Sequence, residues 1–587
     1  MPERGDPNMD HVEGDEIDRE VTGTSAEQSR KPLSRRQFLT RAGAVGLGIP
    51  LARASGMFDL ASARTGARAG RALRGEAGSS GAASLKGIVV GLATDIDTLD
   101  PISFRSDAAY EAVIQAYQEP VDNRVVTVKG VLEGVPGSLV ATVASKFSIS
   151  PDATVYKFTV RDGAKFANGE PVTAKALYYS YLRALEGPGY ASLLMTLLTV
   201  KHPSQLVVTG PKTFEIHLSQ PNPMGPKLIP LSVLVVYTPT YSKSHATKSD
   251  PWATKWYTGH MMGTGAYVQT STWESGNQYL LAPNPHAWDR GQMRNSGVLL
   301  KYLPDSDDRA LLVKNGSIDV AFGLPASKLH SLRNTSSVRL INTPTRNWNF
   351  LGMNTTMKPF DDVRVRQAVA YALPYDELIK DALYGFASPL RGILSTGTPT
   401  LDTSLWPYKT NISKAKRLLA EAGLPKGFSS TLTVSVSRPN DVTSATYIQA
   451  SLAKVGIDVA ISQASTANFR TKEDTGELPM FIDYWYSWVD DPFYQMFWLL
   501  SSKNVGAGGT NLAKFKDPAM DSLISKGFYE STAAERDRLS RQAQSLYAEQ
   551  VPYVPLYSEN FTLAVGKDVR GVNVWPDDYV RFRLLSK

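Results

Sequence analysis

Residues 154–177 read "TVYKFTVRDGAKFANGEPVTAKAL" and predict a strand, two turns and the start of a helix. Over residues 154–160 apolar and polar side chains alternate with the period of a half-buried strand, and the apolar set is Tyr156, Phe158 and Val160. The glycine-containing pairs at 162–163 and 168–169 are turn signals. Thr173 can then cap the amino end of a helix. A strand that leads into a helix is typical of an α/β protein.

The same alternation continues on both sides of this stretch. "GIVVGLA" (87–93) and "TFEIHLS" (213–219) predict strands, because each is a short apolar or alternating run. Helices are predicted after Asp361 or Asp362 and after Ser413, since these residue types cap helices and an apolar stripe follows each of them. Strands and helices alternate along the rest of the chain, so the sequence predicts an α/β fold.

The composition excludes several kinds of function. The chain has 587 residues and no cysteine, which excludes disulfides, thiolate metal sites and cysteine catalysis. The net charge is +7, and beyond residue 84 the basic residues number 51 against 45 acidic ones. This excess is small and contains no dense Lys/Arg run, so nucleic acid is not expected as a partner. The seven histidines show no metal-ligand spacing, and neither a metal site nor a cofactor is predicted.

Residues 34–56 read "SRRQFLTRAGAVGLGIPLARASG", the pattern of a twin-arginine export signal. Arg35 and Arg36 form the pair that this pathway reads, and the weakly apolar run behind them is too short to span a bilayer. Small residues predict cleavage after Ala54 or Ala63. No cysteine is available for a lipid anchor. We therefore expect residues 1–84 to be a signal peptide with a disordered leader, and the mature protein to be soluble in a periplasm.

Seven segments form an ordered set: "TLDP" (98–101), "YKFTVRDGAKFANGEPVTAKAL" (156–177), "GTGAYV" (263–268), "FLGMNTTMKPFDDVRVRQAVAYALPYDELI" (350–379), "AKRLLAEAG" (415–423), "LAKVGIDV" (452–459) and "YVPLY" (553–557). In this order they resemble the extracytoplasmic solute-binding proteins of the peptide/nickel class of ABC importers, family 5 or the oligopeptide/dipeptide type. Ala266 stands where that family has a proline. Each segment alone is a weak signal, but the ordered set is specific and extends over almost all of the mature chain.

The resemblance implies a periplasmic-binding-protein-like type II fold, in which two α/β lobes close on a ligand about a hinge. A small subdomain is inserted in lobe I. The implied layout is lobe I at 85–120, the subdomain at 121–260, lobe I again at 261–347, lobe II at 348–556, and a return to lobe I at 557–587. The crossings between lobes are expected near Asn347–Asn349 and near Leu556–Glu559.

Residues 484–498 read "YWYSWVDDPFYQMFW", and eight of these fifteen residues are aromatic. Residues 480–488 alternate as a strand would, with Trp485 on one face and Tyr486 and Trp488 on the other. Both faces carry too much aromatic surface for ordinary solvent exposure. From the residues alone, the stretch is either over-packed core or the wall of a binding site.

The resemblance favours the binding wall. Peptide-binding members carry a tryptophan here, an aspartate three residues later that holds the ligand ammonium, and an acid–proline pair. Aligned on Pro492, Trp485 matches the tryptophan and Asp491 matches the acid. The ammonium-binding aspartate falls on Trp488, although Asp490 can replace it if the loop is shorter. A simple dipeptide with a free amino terminus is therefore in doubt.

The resemblance also implies the remaining contacts and partners. The residues expected to face ligand are Trp485, Tyr486, Trp488, Asp490 and Asp491 from lobe II, Phe104 and Arg105 from lobe I, and Trp348 at the crossing. The expected ligand is a peptide or peptide-like solute, with a sugar-conjugate, opine or metal-chelate as alternative. A monomer is expected, with the permease subunits of an ABC importer at the inner membrane as partner.

A secreted hydrolase is the remote alternative. No nucleophile or base with the geometry of an active site can be named, so no enzyme activity is predicted. The carboxylate pairs Asp307/Asp308 and Asp577/Asp578 are interpreted as helix caps or exposed turns rather than acid–base pairs.

Overall fold

The computed structural model describes residues 86–587 except Arg105, Lys129, Gly130, Tyr190, Ser232, Asn277, Ala507, Gly508, Ser531 and Pro576. The predicted export signal, both cleavage positions and the leader lie outside the described residues. So does Arg105, one of the residues expected to face ligand.

The described strands are, in chain order, β1 (Ile88–Leu92), β2 (Val121–Val128), β3 (Val131–Ala141), β4 (Ala144–Ile149), β5 (Val155–Val160), β6 (Leu206–Val208), β7 (Thr213–His217), β8 (Tyr267–Gln269), β9 (Tyr279–Pro283), β10 (Val298–Tyr302), β11 (Val320–Ala321), β12 (Val338–Thr343), β13 (Asn347–Met353), β14 (Ala387–Ser388), β15 (Phe428–Ser435), β16 (Ile457–Ala464), β17 (Met480–Tyr486), β18 (Tyr553–Glu559), β19 (Phe561–Gly566) and β20 (Asn573–Val574).

The described α-helices are α1 (Asp107–Ala116), α2 (Ala174–Glu186), α3 (Ala191–Leu197), α4 (Gly225–Leu228), α5 (Pro239–His245), α6 (Thr254–Tyr257), α7 (Ser306–Lys314), α8 (Ala326–Leu332), α9 (Val363–Ala372), α10 (Tyr375–Glu377), α11 (Ile412–Glu421), α12 (Pro439–Ala453), α13 (Thr466–Thr475), α14 (Pro492–Leu500), α15 (Pro518–Tyr529) and α16 (Ala533–Gln550).

Two large sheets form the centres of two lobes. The sheet of lobe I has seven strands in the order β12-β19-β11-β1-β10-β9-β8, and the sheet of lobe II has six in the order β14-β18-β13-β17-β15-β16. Both sheets mix parallel and antiparallel pairs; β1 runs parallel to β10 and β11, and β15 runs parallel to β16. Two smaller sheets, β2-β3-β20 and β4-β5-β7-β6, lie on the lobe I side of the chain path.

The chain passes between the two large sheets twice. It leaves the sheet of lobe I after β12 and enters that of lobe II with β13, and it returns between β18 and β19. The two crossings lie side by side, because the Thr345 hydroxyl donates to the Glu559 carbonyl at 2.7 Å and the Ser558 hydroxyl donates to the Thr345 carbonyl at 3.2 Å. These paired connections are a hinge between the lobes.

Most of the predicted local elements are confirmed. Thr173 caps α2 by accepting from the Ala176 N–H, and Asp362 caps α9 by accepting from the Arg364 N–H. The prediction that Ser413 caps a helix is wrong. Asn411 caps α11 instead, accepting from the Lys414 N–H at 2.9 Å. Asparagine and serine are comparably good caps, so residue type alone did not separate them.

The aspartate of the "TLDP" segment has a structural role. Asp100 and Arg183 are fully buried and form a bidentate ion pair, with N–O distances of 2.9 and 2.7 Å. The Tyr237 hydroxyl donates to the same carboxylate at 3.1 Å. Since Arg183 lies in α2, this pair joins the first segment of lobe I to the region that carries the β4–β7 sheet. Breaking one partner of such a buried pair is strongly destabilising.

Candidate functional site

A cavity of about 2450 Å³, called the cleft below, lies between the two lobes. Its lining includes the loop after β1, the first turn of α1, the crossing at 345–347 and the end of β17. The lobes touch across it. The Lys227 ammonium donates to the backbone carbonyl of Asp490, and the Tyr486 side chain hydrogen-bonds to Asp578. We call this arrangement, in which the two lobes meet at these contacts and a solute would lie between them, the closed form.

Strand β17 presents an edge, rather than a face, to the cleft. It pairs with β13 along its whole length but with β15 only at Met480 and Phe481. Four consecutive residues, 483–486, line the cleft. If a face of the strand lined it, only alternate residues would do so. The end of β17 is thus paired with β13 along one edge, and its other edge faces the cavity.

Aromatic side chains surround this edge. Trp485 and Trp488 are half-buried, and α14 contributes Tyr494 and Trp498 to the same wall. The ring centroids of Trp485 and Tyr494 are 6.5 Å apart, and those of Tyr494 and Trp498 are 6.3 Å apart. The indole N–H groups of Trp485 and Trp498 are buried without an acceptor among the described residues. We call these four aromatic residues the aromatic wall.

Charged pairs hold the strand behind the aromatic wall. Asp483 is buried and accepts from Arg470, with one N–O distance of 3.0 Å. Burial opposes ionisation of Asp483, but Arg470 outweighs it and lowers the pKa of this carboxyl. The Arg438 guanidinium lies 4.0 Å from the ring centroid of Tyr484. The ion pair and the cation–ring contact hold the end of β17 in place, and its aromatic side chains face the cavity.

Lobe I contributes a smaller aromatic group and several carboxylates. Phe104 and Tyr110 meet edge to face at 4.8 Å, and Tyr110 lies 4.2 Å from Tyr579. The Tyr110 hydroxyl donates to Asp577 at 3.1 Å, and Arg581 pairs with the same carboxylate at 2.9 Å. Ring faces beside carboxylates are a favourable environment for a cation.

Beside the crossing, Arg346 interacts with Asp490 of lobe II and with Asp577 and Asp578 of lobe I, and Glu111 interacts with Asp577. We call these four carboxylates and Arg346 the crossing cluster. Burial raises the pKa of Asp578 to about 7, although Arg346 opposes the shift. Burial also raises the pKa of Glu111 and that of Asp490. Burial alone would lower the pKa of Arg346, but Tyr486, Asp578 and Asp490 together raise it. The cluster is thus short of positive charge.

Five of the residues expected to face ligand lie in the cleft lining: Trp485, Tyr486, Trp488, Asp490 and Phe104. Two others do not. Asp491 is buried, caps α14 by accepting from the Phe493 N–H, and pairs with Arg536. Trp348 is 0% exposed and donates its indole N–H to the Gly392 carbonyl at 2.9 Å. The structure therefore places Asp491 and Trp348 in the core of lobe II, where packing and a buried ion pair use them.

The sequence analysis missed lobe I carboxylates and part of the aromatic wall. Asp577 and Asp578 were interpreted as a cap or exposed turn, but both are half-buried and line the cleft. Asp578 has φ +60°, a left-handed conformation that aspartate and asparagine tolerate better than most residues. Glu111 and Arg346 were not singled out. The only local signal was the Asp-Asp pair itself, which is also common in turns.

Asp307 and Asp308 are exposed, as interpreted, but neither is the helix cap. They lie in the first turn of α7 behind the cap residue Asp305.

No group of three or more His, Asp or Glu side chains among the described residues could hold a metal ion. In the part of the chain that the structure describes, no helix has the length and apolarity needed to cross a membrane.

Comparison with known proteins identifies the family. The family model described as "Bacterial extracellular solute-binding proteins, family 5 Middle" matches residues 138–507. The chain is 28% identical over 487 residues to the probable D,D-dipeptide-binding periplasmic protein DdpA of Escherichia coli strain K12, a match that covers 82% of this chain and 90% of DdpA. It is 26% identical over 505 residues to the glutathione-binding protein GsiB of Salmonella typhi, covering 84% of this chain and 93% of GsiB.

A solved structure supports the fold. The periplasmic binding protein DppA from Helicobacter pylori, associated with an ABC transporter and in complex with the peptide STSA, aligns with a TM-score of 0.72 at 24% identity. The alignment covers 86% of this chain and 98% of DppA. The predicted α/β fold of the periplasmic-binding-protein type, with two lobes, is confirmed.

Proposed function

We propose that this chain, which belongs to family 5 of the bacterial extracellular solute-binding proteins, captures a peptide or peptide-like solute in the cleft. It then delivers the solute to the permease subunits of an ABC importer. Proteins of this family are transport receptors, so the chain is a receptor and not an enzyme. Closure of the two lobes around the solute is the expected step that presents the loaded receptor to the importer.

The peptide assignment rests on the edge of β17 that has no hydrogen-bonded neighbouring strand. An extended peptide can add itself to a free strand edge through main-chain hydrogen bonds, which recognise any sequence. Residues 483–486 offer such an edge inside the cleft. The relatives named for D,D-dipeptide and glutathione binding agree with a ligand of this class.

The aromatic wall favours a second candidate of the same receptor class. Broad aromatic faces stack on sugar rings and on flat groups as well as on peptide side chains. Trp488 stands where the resemblance implies an ammonium-binding aspartate. A sugar-conjugated or opine-type solute is therefore the alternative ligand.

The proposed ligand contacts are those expected residues that line the cleft: Trp485, Tyr486, Trp488, Asp490 and Phe104. Arg105 remains a proposal from the sequence. The proposed layout keeps the inserted subdomain at 121–260 and lobe II at 348–556. The receptor is proposed to act as a monomer in the periplasm.

Export by the twin-arginine route is proposed from Arg35 and Arg36. Changing both residues to lysine should retain the protein in the cytoplasm, because the pathway reads the paired guanidinium groups. Cell fractionation followed by immunoblotting measures this. Unchanged export of the double variant by the same route would contradict the assignment.

The ligand assignment is tested by native mass spectrometry of the purified protein, followed by release and identification of the bound molecule. A cleft of this kind shields its ligand, so a tight ligand is expected to survive purification. Recovery of a peptide supports the proposal. Recovery of a free oligosaccharide or a metal–chelator complex would contradict the peptide assignment and leave the receptor assignment standing.

A further inference from the structure

We propose that the crossing cluster binds a positively charged amino group of the ligand, and that this group supplies the counter-charge that closure of the lobes requires. The inference rests on the proposed function and specifies the ligand within it. The resemblance implies a cation-binding aspartate in lobe II, at the position that Trp488 occupies. We place cation binding instead at carboxylates that are mostly on lobe I.

The first observation is the balance of charge. The charged cleft residues that belong to the crossing cluster or interact with it are the acidic residues Asp107, Glu111, Asp490, Asp577 and Asp578 and the basic residues Lys227, Arg346 and Arg581. The basic groups are already engaged. Arg581 pairs with Asp577, and Lys227 donates to the carbonyl of Asp490. A ligand carboxylate would add repulsion here, whereas an ammonium would reduce it.

The second observation is independent of charge counting. Glu111 is 1% exposed and lines the cleft. Its Oε1 accepts from the Val580 N–H at 3.3 Å, but its Oε2 is buried with no partner among the described residues. Asp490 Oδ1 and Asn347 Oδ1 are buried and unpartnered in the same way. Each is an oxygen that lacks a donor, and an ammonium has three N–H donors.

The third observation is the aromatic surroundings. Tyr110 and Tyr579 pack against each other beside Asp577, with Phe104 against Tyr110. Trp488 lines the cleft from the opposite lobe. Ring faces attract cations and do not attract anions. Aromatic rings and carboxylates together therefore select an amine rather than a carboxylate or a neutral hydroxyl.

This arrangement makes closure depend on the ligand. In the closed form Asp578 hydrogen-bonds to the Tyr486 side chain of lobe II and to the Arg346 backbone, and Asp490 also interacts with Arg346. Closing the empty cleft buries carboxylates without enough positive charge, which is unfavourable. A bound ammonium offsets that cost in the closed form alone, so it shifts the lobes toward closure.

The test compares two probes on the purified full-length protein: a mixture of tri- to pentapeptides with free amino termini, and the same mixture after N-acetylation. Thermal unfolding is followed as a function of probe concentration. We expect the acetylated mixture to need at least about tenfold more material for the same rise in melting temperature, since a charged hydrogen-bonded pair is lost. Equal binding of both mixtures would overturn the inference and leave the peptide proposal standing. Binding of neither would overturn both.

Variants then locate the cation site. Asp578→Asn is nearly isosteric, and asparagine tolerates the φ of +60° at this position. Asp578→Asn and, as a second variant, Glu111→Gln should each reduce the preference for free amino termini several-fold. Asp474→Asn is the matched control, because Asp474 is a cleft carboxylate outside the crossing cluster. If both cluster variants keep the preference of the original protein, the assignment to this cluster is overturned.

Discussion

The two lobes build their walls of the cleft in different ways. Lobe II uses one continuous segment, the end of β17 and α14, which supplies an edge and four aromatic rings. Lobe I uses distant segments; Glu111 and the Val580 N–H that it accepts from are 469 residues apart in the chain. The first wall is aromatic and the second is acidic. In the proposed function, shape and backbone recognition therefore belong to lobe II, and charge recognition to lobe I.

The largest expected effect distinguishes a tryptophan in the core of lobe II, Trp348, from a tryptophan that lines the cleft, Trp488. Trp348→Ala should reduce the free energy of unfolding by about 3–5 kcal/mol, because Trp348 is fully buried and a cavity would remain. Trp488→Ala should cost at most about 1–2 kcal/mol in the empty protein, since Trp488 is only half-buried. It should instead weaken ligand binding about tenfold or more. Urea unfolding and ligand titration measure the two effects.

The reverse result would exchange the two roles. If Trp488→Ala destabilised the empty protein as strongly as Trp348→Ala, the aromatic wall would be core and the comparison of the lobes would fail.

The next effect separates two adjacent aspartates. Arg536→Met should cost about 3–5 kcal/mol, because it leaves the carboxylate of Asp491 buried and unpaired. Asp490→Asn should change the free energy of unfolding by at most about 1 kcal/mol, since its Oδ1 has no partner and asparagine keeps an acceptor oxygen for the hydrogen bond with Thr398. Denaturant unfolding of both variants is the measurement. A small effect of Arg536→Met would show that Asp491 is hydrated and free to meet ligand.

A pH effect should be specific to the acidic wall. Burial raises the pKa of Asp578 to about 7 in the closed form, and on opening it should fall toward the ordinary value of about 4. The closed form thus binds a proton more tightly than the open form. Closure of the empty protein is therefore favoured as the pH falls through about 7 and disfavoured as it rises. Between about pH 8 and pH 6, the ratio of closed to open should rise about tenfold.

Small-angle X-ray scattering of ligand-free protein follows this change as a decrease in the radius of gyration at the lower pH. Asp578→Asn should reduce the pH dependence near pH 7, because asparagine does not titrate, while Asp474→Asn should retain it. Compaction at the higher pH instead would show that the sign is reversed and that Asp578 is ionised when the lobes close.

The smallest effect concerns the contact at the cleft mouth. Lys227 donates to a backbone carbonyl of lobe II and is only half-buried. Lys227→Met should therefore increase the rate of ligand release by a few-fold at most, which corresponds to about 1 kcal/mol or less. Stopped-flow dissociation measures it. If Lys227→Met weakened binding as much as Trp488→Ala, lobe I would also contribute to shape recognition, and the division between the lobes would be wrong.

Much of the fold was determined by the sequence alone. The strand at 155–160, the cap at Thr173 and the cap at Asp362 follow from patterns that act over a few neighbouring residues. The ordered family segments predicted two lobes and a cleft between them. The aromatic wall was visible because its residues are consecutive in the chain.

Only the tertiary structure decided which of these residues are core and which line the cleft. Asp490 and Asp491 are neighbours in sequence, but a buried partner 45 residues away uses Asp491 and leaves Asp490 in the cleft. Trp348 and Trp488 differ in burial and not in type. The crossing cluster brings together residues from both ends of the described chain. Burial and ion pairing depend on contacts between distant segments, and no periodicity or cap within a short stretch of sequence records those contacts.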